Sequence, residues 1–86
     1  MSNMTFTKQK IYYIIWDDHW NLMNTWQNEE NLDENPIEVH SIGWCMKDGE
    51  KMLHLASTID SSNHSFGGHM AIMKKSIKEA WELTNV

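Results

Sequence analysis

IEVHSIGWCMKDGEKMLHLAS (Ile37–Ser57) decides the fold class. Its first ten residues and last seven are rich in β-branched, aromatic and large aliphatic side chains, and KDGE lies between them. Asp-Gly is a favoured central pair for the tight turn whose twist matches that of two antiparallel strands. The stretch therefore reads as a hairpin turning at Asp48-Gly49. Side chains alternate across a strand, so His40, Ile42, Trp44 and Met46 share one face and Val39, Ser41, Gly43 and Cys45 the other. In the second arm Leu53 and Leu55 oppose Met52, His54 and Ala56. Gly43 in mid-strand marks a bend or a close backbone approach.

Outward from the hairpin, Lys10–Trp16 (KIYYIIW) is a second strand candidate. It shows no apolar–polar alternation, so both of its faces are expected to be covered. WDDHW (Trp16–Trp20) follows. It reads as a strand end, with the aspartates capping a turn and the tryptophans packing. A catalytic reading needs a carboxylate or imidazole held by a second group and aimed at a substrate, and nothing in this run requires that. Trp20, Met23 and Trp26 recur at every third residue, which predicts a short helix or helical turn near residues 19–27. NEENLDENP then forms a loop.

Ser57–Gly68 (STIDSSNHSFGG) reads as a long polar connection, and His69–Met73 as a short strand. The segment from Lys74 fits a helix through Ile77, Ala80 and Trp81, or a strand through Ile77, Glu79, Trp81 and Leu83; propensity favours the helix.

With 86 residues there is room for one domain and one small core. Residues 1–8 are expected to be a flexible tail and residues 9–86 the domain. Five tryptophans are a heavy aromatic load for this length. Trp16, Trp44 and Trp81 are the expected core members. No apolar run approaches the roughly 18 residues that span a bilayer, and MSNMTFTKQK lacks the apolar stretch of a signal peptide. The single cysteine, Cys45, has no internal disulfide partner and is expected to be an inert strand thiol. These features predict a cytoplasmic protein that does not engage the membrane.

The formal net charge is −5, and all seven basic residues are lysines. Seven carboxylates and no lysine fall between Asp17 and Glu38. Without arginine the chain lacks the bidentate fork used on phosphate and guanine, and an acidic surface repels nucleic acid. Nucleic-acid binding is disfavoured.

Candidate sites are few. His64 and His69 lie five apart, and His40, His54 and Cys45 sit on expected strands, but no compact ligand pair occurs; no metal and no cofactor are expected. Ser61, Asn63, His64, Gly67 and Gly68 give one loop suited to hydrogen bonding a small polar ligand, with Lys74 close behind to add positive charge. Gly67-Gly68 lacks the remaining residues of a phosphate-binding motif. Trp20 and Trp26 complete the candidate ligand surface as stacking rings. No catalytic residue is named, and the chain is expected not to be an enzyme.

Ile14, Ile15, Trp16, Asp18, Trp26, the run Ser41-Ile42-Gly43-Trp44, Leu55-Ala56, Gly68, Ile72, Lys74, Ile77 and Glu82-Leu83 together resemble a group of short phage-encoded proteins. Met73 departs from their pattern, standing where they carry proline. The resemblance implies a mainly β fold, a small Sm-like or SH3-like, partly open barrel of about five strands with its last strand near Lys78–Leu83; the alternative is an α+β fold with a helix over residues 74–83. It further implies a phage accessory binding protein acting in the host cytoplasm. Such a protein would engage a host protein or sequester a small polar ligand, as counter-defence, and would self-associate edge to edge. An Sm-like RNA-binding protein is one alternative. An acidic decoy for a host DNA-binding enzyme is another.

Overall fold

The computed structural model describes residues 4–18 and 36–84. Seven strands occur among them: β1 (Ile11–Asp18), β2 (Ile37–Asp48), β3 (Met52–Ala56), β4 (Thr58–Asp60), β5 (Ser65–Gly67), β6 (Met70–Met73) and β7 (Ile77–Leu83). A single 3₁₀ turn, Lys74–Ser76, separates the last two. The main sheet is antiparallel in the order β6-β3-β2-β1-β7, while β4 and β5 form a separate hairpin. The fold is mainly β, as expected. The end strands β6 and β7 do not pair with one another, so the sheet is open rather than a closed barrel. The helical turn expected near residues 19–27 lies outside the described residues, as do Trp20 and Trp26.

β2 is the organising strand. From Ile37 to Trp44 it pairs with β1, and from Trp44 to Asp48 with β3. The close approach expected at Gly43 is there: a Cβ would stand 2.9 Å from the Ala56 carbonyl oxygen and 3.1 Å from the Leu55 Cβ. The turn differs from expectation by two residues. Asp48 pairs with Leu53, and the Gly49 N–H donates to the Met52 carbonyl at 3.0 Å, leaving Glu50-Lys51 as the loop. A bulge between Cys45 and Lys47 shifts the register. Asp48 is also held by tertiary contacts, accepting from the Phe6 N–H at 3.3 Å and pairing with Lys74. Those contacts outweigh the local turn preference.

The C-terminal segment is a strand. Helix propensity in KEAWEL is worth tenths of a kcal/mol per residue, whereas pairing with β1 satisfies the backbone and buries Ile77. The register between β7 and β1 breaks at Ile15/Trp16, making Lys78 a bulge residue.

The core lies on the inner face of the sheet: Phe6, Tyr12, Ile14, Cys45, Leu53, Leu55, Ile72 and Ile77, with Met4, Trp16 and Ala80 packed against it. Each full-sized apolar side chain buried here contributes roughly 1.5–3 kcal/mol. Phe6 meets Tyr12 edge to face at 5.0 Å, and the Thr7 N–H donates to the Tyr12 hydroxyl at 2.6 Å. Residues 4–8 therefore belong to the domain instead of forming a tail. Ser41 is buried, and it accepts from Trp16 Nε1 at 3.0 Å, which satisfies both groups. Of the tryptophans expected in the core, Trp16 packs on it, Trp44 is half-buried and Trp81 is 47% exposed. Trp81 faces outward because its register partner is Tyr13, on the opposite face of β1 from Tyr12 and Ile14.

Candidate binding face

Alternation along β1 sends Tyr12 and Ile14 into the core, so Ile11, Tyr13, Ile15 and Asp17 occupy the other face. That outer face is built in rows across three strands. Leu83, Ile11 and Trp44 are paired in the first row, Trp81, Tyr13 and Ile42 in the second, and Glu79, Ile15 and His40 in the third. Asp17 and Glu38 pair beyond them. Ile42 is 60% exposed and Leu83 41%. Among the described residues the expectation that both faces of the IYYIIW strand are covered is not met: the inner face lies on the core, while Ile11, Tyr13 and Ile15 on the outer face are half-buried.

Two depressions flank the first row. Tyr13, Ile15, Trp81 and Leu83 line an apolar one of about 220 Å³. Gln9, Lys10, Ile11, Trp44, Glu82, Leu83 and Thr84 line a more polar one of about 370 Å³.

A polar chain fixes the orientation of Tyr13. Its ring packs edge to face against Trp81 at 5.5 Å and His40 at 5.7 Å. The Tyr13 hydroxyl lies 2.5 Å from His40 Nδ1, and His40 Nε2 lies 3.0 Å from Glu38 Oε2. Lys78 Nζ donates to Glu38 Oε1 at 2.9 Å. The bulge explains that reach, because the extra residue in β7 lets Lys78 swing over the outer face to β2. The hydrogen bond from His40, with the Lys78 bond and charge behind it, holds the Glu38 carboxyl below its ordinary value. An ionised carboxylate only accepts, so His40 Nε2 carries the proton toward Glu38. In neutral His40 the Nδ1 lone pair then accepts from the Tyr13 O–H. The partnership with Glu38 also raises Lys78.

The loop singled out in the sequence is a hairpin. Ser61, Asn63 and His64 lie in the turn between β4 and β5, with Gly67 at the end of β5 and Gly68 just beyond it. Two local side-chain pairs hold its shape. Asp60 Oδ1 accepts from the Ser62 N–H at 3.0 Å and hydroxyl at 2.6 Å, and Asn63 Oδ1 accepts from Ser65 in the same way. The Ser62 bonds lower the Asp60 carboxyl from its usual value. Gly68 has φ +66°, and a Cβ there would collide with Ser57 Oγ. Lys74 is not brought to this loop; it pairs with Asp48 and sits 5.9 Å from the Phe6 ring centroid.

One contact at the base of the hairpin involves two histidines. His54 Nδ1 and His69 Nε2 are 2.9 Å apart, and the rings are 8° from parallel with centroids 5.1 Å apart. The centroid gap nearly equals the nitrogen gap plus the two ring radii, so the rings meet edge to edge in line, as in an N–H···N bond. Phe66 leans its ring against His69 at 6.1 Å. Among the described residues no group of three or more His, Cys, Asp and Glu is placed to hold a metal ion. Burial raises the Cys45 thiol, which suits a packing role.

Tyr13, Glu38, His40, Ile42, Lys78, Trp81 and Leu83 escaped identification as a surface from sequence. The available signal was the missing alternation in IYYIIW together with the apolar Ile42 and Trp44 opposite the small Ser41 and Gly43. An 86-residue chain has little material to cover two such faces. No helix among the described residues is long and apolar enough to cross a membrane. No family model, no curated protein and no solved structure matches the chain.

Proposed function

We propose that this chain is a non-enzymatic accessory binding protein of phage origin that docks a host protein on the outer face of β7, β1 and β2. The observation that carries this reading is the paired array of exposed Trp81, Ile42 and Leu83 around Tyr13. Contiguous exposed apolar patches mark interaction sites, and buried tryptophan and tyrosine anchors dominate interface energies. The partner it fits is a protein surface with an apolar centre and basic flanks, since Glu79, Glu38 and Asp17 border the face and the chain carries a net −5. Counter-defence in the host cytoplasm is the role that the phage resemblance adds.

The other readings draw less support. A small polar ligand would need the 61–68 hairpin, where the Ser62 and Ser65 hydroxyls and the Asn63 carbonyl oxygen are already bonded locally. RNA would find stacking rings at Tyr13 and Trp81, but beside carboxylates and with no arginine. Of the carboxylates behind the decoy reading, Glu38 is already bonded to His40 and Lys78. Self-association belongs to the proposal through the open edges of β6 and β7, which leaves the outer face free.

The test combines sedimentation with a photo-crosslinking residue at position 42. Self-association that persists in Ile42→Asp is edge association and is compatible with the reading. Self-association abolished by Ile42→Asp makes the outer face a contact between copies and overturns a foreign partner. The expected crosslink is to one defined host protein, lost in Trp81→Ala and absent when the probe is moved to Thr58. Equal capture from both positions also overturns it.

A further inference from the structure

We infer that the depression between Tyr13, Ile15, Trp81 and Leu83 seats a cationic side chain, a lysine or arginine, of the docked protein. This rests on the docking reading and names the group that the face recognises. Four features of the site converge on it. The lining is apolar, as the methylene stem of a long cationic side chain requires. Trp81, 47% exposed, and Tyr13 offer aromatic rings that attract cations. Glu79 stands on the same face two residues before Trp81, paired in register with Ile15, and it has no salt bridge among the described residues. Lys78, its neighbour in sequence, makes its hydrogen bond to Glu38 and has only a minor charge attraction to Glu79. Tyr13 adds direction: with His40 neutral and its proton on the Glu38 side, the Tyr13 hydroxyl hydrogen goes to His40 and its oxygen meets a partner as an acceptor. Ammonium and guanidinium groups only donate. An anion would meet Glu79 in a chain of net charge −5.

The experiment titrates ¹⁵N-labelled protein at low salt with acetyl-Leu-Arg-Leu-amide and with its lysine, citrulline and norleucine counterparts. The readout is the Trp81 indole N–H, assigned by its disappearance in Trp81→Phe. The expected result is that the arginine and lysine peptides bind about threefold to tenfold tighter than the neutral ones. That preference shrinks in Glu79→Gln and with added salt. Equal binding of the citrulline or norleucine peptide overturns the cation slot, as does a Trp81 signal that no peptide moves. The docking reading is judged separately by the crosslink from position 42. If that crosslink succeeds while the peptides fail, only the slot is lost; if the arginine peptide binds while the crosslink fails, only the docking reading is lost.

Discussion

The outer face of β7-β1-β2 and the β4–β5 hairpin differ in where their side chains find partners. The hairpin is crowded with serine, asparagine, aspartate and histidine, and Asp60 and Asn63 bond to Ser62 and Ser65, each two residues further on. Such Asx and Ser turns are how short polar loops hold their shape. The outer face is poorer in polar atoms, and what it has is joined across three strands, from Lys78 in β7 to Glu38 and His40 in β2 and Tyr13 in β1. Its apolar rings remain exposed. A dense run of polar letters therefore marks a turn held in shape by its own side chains here, and the surface assembled across strands is apolar.

The largest expected effect sets the two regions directly against each other. Trp81→Ala is expected to weaken the captured partner about thirtyfold, roughly 2 kcal/mol, as loss of an interface anchor does. Replacing Ser61, Asn63 and His64 together by alanine should change that affinity less than about twofold. Titration calorimetry decides, and the reverse ranking would return the site to the hairpin.

Next comes a pair of adjacent glycines. Gly68→Ala is expected to cost about 1–3 kcal/mol, from its positive φ and the collision with Ser57. Gly67→Ala meets nothing within 4 Å and should stay within about 0.5 kcal/mol. Thermal unfolding reads both. Amide shifts of the outer face should be unmoved in each, since among the described residues β4 and β5 form a sheet separate from β7-β1-β2.

The smallest effects come from two exposed carboxyls that are both lowered, one in each region. Glu38 owes this first to His40 and then to Lys78, and Asp60 to Ser62. A lowered carboxyl contributes stability that is present above its unfolded value and lost as pH falls through its folded value. The stability gap between wild type and Glu38→Gln should therefore be present near neutrality and close on the acid side; Asp60→Asn should behave in the same sense. Only Glu38→Gln should also move the Tyr13 and His40 ring resonances. If Asp60→Asn moves them as well, the two regions are coupled and the contrast between them fails.

Much of the framework was legible in the letters. Alternation in Ile37–Ser57 identified two strands and their faces, and Gly43 announced the tight approach to Ala56. The resemblance favoured a last strand where local propensity favoured a helix. Other assignments required the assembled sheet. Phe6 sits in a run that reads as a tail, and it is buried only because Tyr12 and the Asp48–Lys74 side meet it. Trp81 reads as a core residue by hydrophobicity, but its exposure follows from a register defined by a one-residue bulge at Lys78.

The sequence by itself determined a small acidic β protein with a central hairpin, because strand propensity, alternation and turn chemistry act over a few neighbouring residues. The tertiary structure alone decided which face of each strand is wet. That choice depends on bulges and cross-strand partners distant in sequence, and a one-residue shift in register turns a core tryptophan into a surface one.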